Sequence, residues 1–173
     1  MICWRKIIQN QSKSIVQYEQ LLDFNMILKE QWTPRTLEDK LIHSYSLENK
    51  GTYYLEVPIG SSKNGNWPPK SRIRRIDAVK FPLKTTNSSH IYPQKEFSYK
   101  KFKEEVSHKS VELIEAKKRL NRLVIGQVIA GYDMFMREYN PKKVDMVILC
   151  TGADPALEWV CQKRDIEVEI INP

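Results

Sequence analysis

The chain has 173 residues, enough for one domain to bury a core without disulfide help, and its 41% hydrophobic and 28% charged residues are globular proportions. No run approaches the roughly 18 apolar residues of a membrane span, and the opening Met1-Ile2-Cys3-Trp4-Arg5-Lys6-Ile7-Ile8 lacks a signal-peptide apolar region. The net charge of +7 is unevenly placed: from Lys63 to Lys103 eleven basic residues face only Asp77 and Glu96, a local +9 that leaves the rest at −2.

From Ser12 to about Trp32, Ile15, Tyr18, Leu22 and Met26 recur at helical spacing, which predicts a helical N-terminal extension over 1–32 ahead of a domain over 33–173. Thr33-Pro34 reads as a cap with proline at the first helical position, opening a helix to about Tyr45 with Leu37, Leu41, Ile42 and Tyr45 on one face and Glu38 beside them. Thr52 to Ile59 favours a strand closed by Pro58. The loop from Gly60 to Pro69 has glycines but no Gly-Lys-Ser/Thr, so it reads as a hairpin connection or a substrate-contacting loop and not a phosphate loop.

Arg72 to Phe81 is the second predicted strand, with Ile73, Arg75, Asp77 and Val79 on one side and Arg74, Ile76, Ala78 and Lys80 on the other. Aspartate is disfavoured in strands, so Asp77 needs either a neighbouring arginine or a metal to explain it. Residues 83–109 are the hardest to read. Phe97 to Val106 suggests a short basic helix whose Phe97, Tyr99 and Phe102 either meet nucleic acid or pack inward.

Val111 to Lys118 is a branched, apolar strand ending in charge. Leu113, Glu115 and Lys117 share one face, and Glu112 and Ile114 the other. Asn121 to about Tyr139 is the longest predicted helix, with Leu123, Ile125, Val128, Ile129, Tyr132, Phe135 and Met136 forming a wide apolar face and Gln127 as a polar residue in its midst. Val144 to Cys150 reads as a strand covered on both faces, Asp154-Pro155 caps a helix to about Lys163, and Ile166 to Ile171 is a final strand. Cys3, Cys150 and Cys161 form no Cys-x-x-Cys pair and leave an odd one over, which points to a reducing compartment, by default the cytoplasm. The expected class is α/β, a central mixed sheet flanked by helices.

In order, the chain offers Glu38 on a helix, Asp77 on a hairpin, Glu115-x-Lys117 at a strand end and Gln127 on the helix that follows. This arrangement resembles the PD-(D/E)xK nuclease superfamily, over roughly Thr33 to Ile171. The resemblance implies a restriction-endonuclease-like core, with Asp77 as the metal-binding aspartate, Glu115 and Lys117 as the acid and lysine of the ExK motif, Glu38 as the first-helix glutamate and Gln127 as the following glutamine. The chain departs from the pattern in three ways. Ile76 stands where proline commonly precedes the aspartate, the stretch from Asp77 to Glu115 is long, and Gly131 occupies the place of the RecB-like tyrosine, so that subfamily is not assigned.

The residue chemistry points the same way. Hydrolysing a phosphodiester requires charge neutralisation, a positioned water and a stabilised leaving oxygen. Asp77 and Glu115 can chelate Mg²⁺, with Mn²⁺ as a substitute and the Ala116 carbonyl as a further ligand, while Lys117 orients the water. Gln127 can steady the water or Lys117, and Glu38 a second metal or the lysine. Lys63, Lys70, Arg72, Arg74, Arg75, Lys118 and Arg119 are the candidates for gripping DNA phosphates. His43, His90 and His108 lack zinc spacing, and no Gly-x-Ser-x-Gly elbow is present. The expectation is a Mg²⁺-dependent DNA endonuclease, acting as a homodimer or within a larger nucleoprotein complex and away from membranes. The alternative is a non-cleaving nucleic-acid-binding or assembly subunit of the same fold.

Overall fold

Thr36 opens the first described helix, α1 (Leu37–Glu48): its side chain accepts the Asp39 N–H, and the Asp39 carboxylate accepts the Thr36 N–H in return. This reciprocal cap, worth about 1 kcal/mol, places the helix start three residues beyond the Thr33-Pro34 signal. The computed structural model describes residues 32–61, 66–82 and 88–173. The predicted helix from Ser12 lies outside them except for Trp32, and Lys63 lies outside as well.

The unit from Pro34 to Pro173 is built on six strands: β1 (Gly51–Ile59), β2 (Arg74–Pro82), β3 (His90–Tyr92), β4 (Ser110–Lys117), β5 (Lys143–Cys150) and β6 (Ile166–Ile170). They form one mixed sheet in the order β3-β1-β2-β4-β5-β6. β1 and β2 are an antiparallel hairpin, β2 runs antiparallel to β4, and β4, β5 and β6 are parallel. Two crossover helices make the parallel half, α3 (Arg122–Tyr139) between β4 and β5 and α4 (Pro155–Gln162) between β5 and β6. Asn121 and Asp154 cap them by accepting first-turn N–H groups. Among the described residues no helix is long and apolar enough to cross a membrane.

One face of the sheet packs on α3 through Leu113, Ile148, Val124, Val128, Phe135 and Tyr139. Ile114, Ala116, Val147 and Leu149 alternate with these, are equally buried, and belong to the opposite face, where α1 lies on β4 and β5. This double cover explains the unbroken apolar run of β5.

The segment 88–109 adds β3, a 3-10 turn (Gln94–Glu96) and α2 (Tyr99–Val106). Its aromatics pack inward. Tyr54 of β1 meets Tyr92, Phe97 and Phe102 at ring separations of 5.0–5.3 Å, and Phe102 reaches Tyr139 at 5.2 Å. Of the two readings of this stretch, the structure takes the packed one, with the lysines left outside.

Lys80 departs from the basic-surface reading. Only 4% exposed, it stands directly across the ladder from Glu112, and its Nζ donates to both carboxylate oxygens at 2.9 Å. Tyr45 of α1 donates to the same carboxylate at 3.1 Å. A charge taken out of water needs such a partner, so Lys80 belongs to the interior.

Candidate functional site

The hairpin changes hand at one level. Along β1 and β2 the residues sharing the α3 core are Tyr54, Val79 and Phe81, but further along they are Val57, Ile59 and Ile76. Alternation therefore slips between these groups, contrary to the regular alternation expected for β2. Between them stand Glu56 and Asp77, the one opposed pair in the hairpin register that does not bond as a ladder pair. Glu56 has φ +53°, a left-handed conformation that costs a non-glycine residue about 1–3 kcal/mol.

On its other side Asp77 faces Glu115, one step beyond the last ladder pair Ala78–Ile114. The Asp77 carboxylate takes over from the backbone there: its Oδ2 accepts the Ala116 N–H at 2.8 Å. Three carboxylates thus stand in a row across β1, β2 and β4 where the β2–β4 ladder ends. Glu115 is the deepest, 5% exposed. Burial, the adjacent Asp77 charge and a hydrogen bond to Asp77 all push its carboxyl well above the usual range. Burial also raises Asp77, while the Ala116 N–H and the Glu115 hydrogen bond favour its ionised form. Both carboxyls are thus pushed up by burial, and their closeness disfavours two negative charges there at once, with Glu115 the more strongly raised. Burial and then Asp77 also raise Glu56, against the pull of Arg75, whose Nε lies 3.7 Å away.

Lys117, two residues after Glu115, places its Nζ 3.4 Å from Glu38 Oε1 in the first turn of α1. Asp77 feels both Lys117 and Glu38. The structure therefore brings together Glu38, Asp77, Glu115, Ala116 and Lys117 from three separate elements.

Gln127 is not in the midst of an apolar face. It is exposed and makes no side-chain hydrogen bond among the described residues. It lies one turn ahead of buried Gly131, where a Cβ would sit 3.8 Å from Glu115 Oε1. Leu123 is likewise outside the core, 66% exposed, while Val124 and Ile125 of the same first turn are buried in it. Lys70, Arg72, Arg74, Arg75, Lys118 and Arg119 are exposed. The turn carrying Lys118 and Arg119 is tied down by Thr151 N–H and hydroxyl bonds to the Lys118 carbonyl and by Leu120 N–H to Gly152.

Among the described residues no three carboxylate, imidazole or thiol groups close on a single point that could hold a metal. The donor set suits a hard cation of the Mg²⁺ kind, which takes one or two carboxylates and completes its shell with water and substrate phosphate. Asp77 and Glu115 would supply the two carboxylates, and two adjacent carboxyls out of water favour a positive charge beside them. Glu56 is the residue that sequence reasoning missed. Its only signal was its place opposite Asp77 in the hairpin. Comparison with protein-family models, curated proteins and solved structures returns no match.

Proposed function

We propose that this chain is a Mg²⁺-dependent endonuclease that hydrolyses DNA phosphodiester bonds on a restriction-endonuclease-like core. One observation carries the reading: Asp77 faces Glu115 across two strands, with Lys117 on the same strand end and Glu38 against it. In this reading Asp77 and Glu115 would hold the cation. The bound cation supplies charge neutralisation at the phosphate and at the leaving oxygen. Lys117, steadied by Glu38, holds the attacking water in line. As the water oxygen bonds to phosphorus the ester P–O bond breaks, and the proton lost by the water ends on the leaving alkoxide or in solvent. Arg72, Arg74, Arg75, Lys118 and Arg119 grip flanking phosphates. One site per chain calls for a second copy or a partner subunit when both strands are cut.

Incubating plasmid with Mg²⁺, Mn²⁺ or EDTA tests this directly. Cleavage should require the metal and fall by at least about 100-fold in Glu115→Ala and Lys117→Ala, with DNA affinity retained. Wild-type protein that binds but never cuts, with both variants binding equally, establishes the non-cleaving subunit instead.

A further inference from the structure

Leu123 is the most exposed large apolar side chain among the described residues, at 66%. Its position is specific. Leu123, Gln127 and Met134 are spaced by four and seven residues and so form one stripe along α3. Met134 fixes the direction of that stripe, since its Cε would lie 2.7 Å from a Cβ at Gly60, the residue just after β1. The stripe therefore looks toward the β1–β2 hairpin. It rises past Gly131, the neighbour of Glu115, and ends at Leu123 about two turns further out, roughly 12 Å along the axis. Cations flank it: exposed Lys118 and Arg119 precede it and exposed Arg122 adjoins it. The hairpin repeats the combination, with Ile73, 58% exposed, between Arg72 and Arg74.

Phosphates satisfy the cations, but an apolar side chain gains nothing from a phosphate. Its natural contact on a polynucleotide is the face of a base. In a paired duplex those faces are stacked away from the surface. We propose that Leu123 packs against an unpaired base next to the scissile phosphate, so that the site takes a DNA strand whose bases are free, as in single-stranded or locally melted DNA. This rests on the nuclease reading for the word scissile, but the binding preference can be tested apart from it.

The test uses the full chain and fluorescence anisotropy in EDTA. The probes are a single-stranded oligodeoxynucleotide, the same strand with abasic sites in its middle, and the matched duplex. Wild type should bind the base-bearing strand about tenfold more tightly than either of the others. Leu123→Ser should erase the difference between base-bearing and abasic strands without changing affinity for the abasic one, and Leu123→Met should keep it. Leu123 is exposed, so Leu123→Ser should fold, and an unchanged Tm checks that. Equal wild-type affinity for base-bearing and abasic strands, tighter binding to duplex, or the same loss on every probe in Leu123→Ser each overturns the proposal. Absence of cleavage in Mg²⁺ with this preference intact would instead strike only at the nuclease reading.

Discussion

Burial and the charge of Asp77 beside Glu115 make the site a pH-dependent element of stability. A carboxyl whose pKa the fold raises contributes stability fully present below its unfolded value near about 4.3 and lost as pH climbs through the raised value. Glu115 is raised chiefly by burial and by the Asp77 charge, so without metal the Tm should fall as pH rises from about 5 into the alkaline range. Glu115→Gln should flatten that fall and melt higher at neutral pH. Because a dication competes with the proton, Mg²⁺ should raise the wild-type Tm more at high pH than at low. Differential scanning fluorimetry across pH, with and without Mg²⁺, reads all three, and a Tm gap between wild type and Glu115→Gln that ignores pH would contradict them. Glu56 yields a separate expectation. Its left-handed φ suits glycine, so Glu56→Gly should be more stable than Glu56→Ala by about 1 kcal/mol in urea unfolding, and the reverse order would contradict the strain at that position.

At the level of elements, the distal half of the β1–β2 hairpin is fastened by Glu138 of α3. Buried at 3% exposure, it accepts from Gly60 N–H at 2.8 Å, Trp67 Nε1 at 2.6 Å and Tyr99 hydroxyl at 3.0 Å. Arg137 lies over the Trp67 ring at 4.2 Å. Glu138→Ala strands these donors and should cost at least about 3 kcal/mol, with hydrogen exchange at Gly60 and Ser61 rising well before the β4 and β5 amides open. Much of this architecture was legible: the long helix from Asn121, the Asp154 cap, the apolar run of β5, and Glu115-x-Lys117 by strand alternation. What escaped depends on relations between elements. Periodicity gives a wide apolar face on α3 but not which part of it the sheet covers: Val124, Ile125 and Val128 are buried, and Leu123 and Gln127 are exposed. Lys80 reads as surface until β4 brings Glu112 across from it. Glu56 reaches the site only because alternation breaks beside it. Asp77 stood out for an ordinary reason, a strand-averse residue among β formers.

For the molecule as a whole, the positive charge is not a uniform coat. Lys80 is spent inside and Arg75 partly faces Glu56, while Arg72 and Arg74 stay exposed on the hairpin and Lys118 and Arg119 on the turn before α3. If these bind phosphates, the affinity for DNA should fall steeply with salt, and replacing Arg72 and Arg74 together by alanine should lower the log–log salt slope by about 2. A lowered affinity with an unchanged slope would place those arginines off the binding path. The internal pair offers another test. Lys80→Met alone should cost about 3–5 kcal/mol, whereas Lys80→Met with Glu112→Leu and Tyr45→Phe should recover most of it, as read by denaturant melts.

The recovered triple variant would still lack something. Lys80 meets Glu112 three rungs from where Asp77 meets Glu115, on the same two strands. Slide either strand by one rung and the lysine is entombed without a partner while the carboxylates no longer face each other. The ion pair thus sets an energetic penalty on a shifted register, a buried charge without its partner, and the arrangement at the strand ends depends on the same alignment.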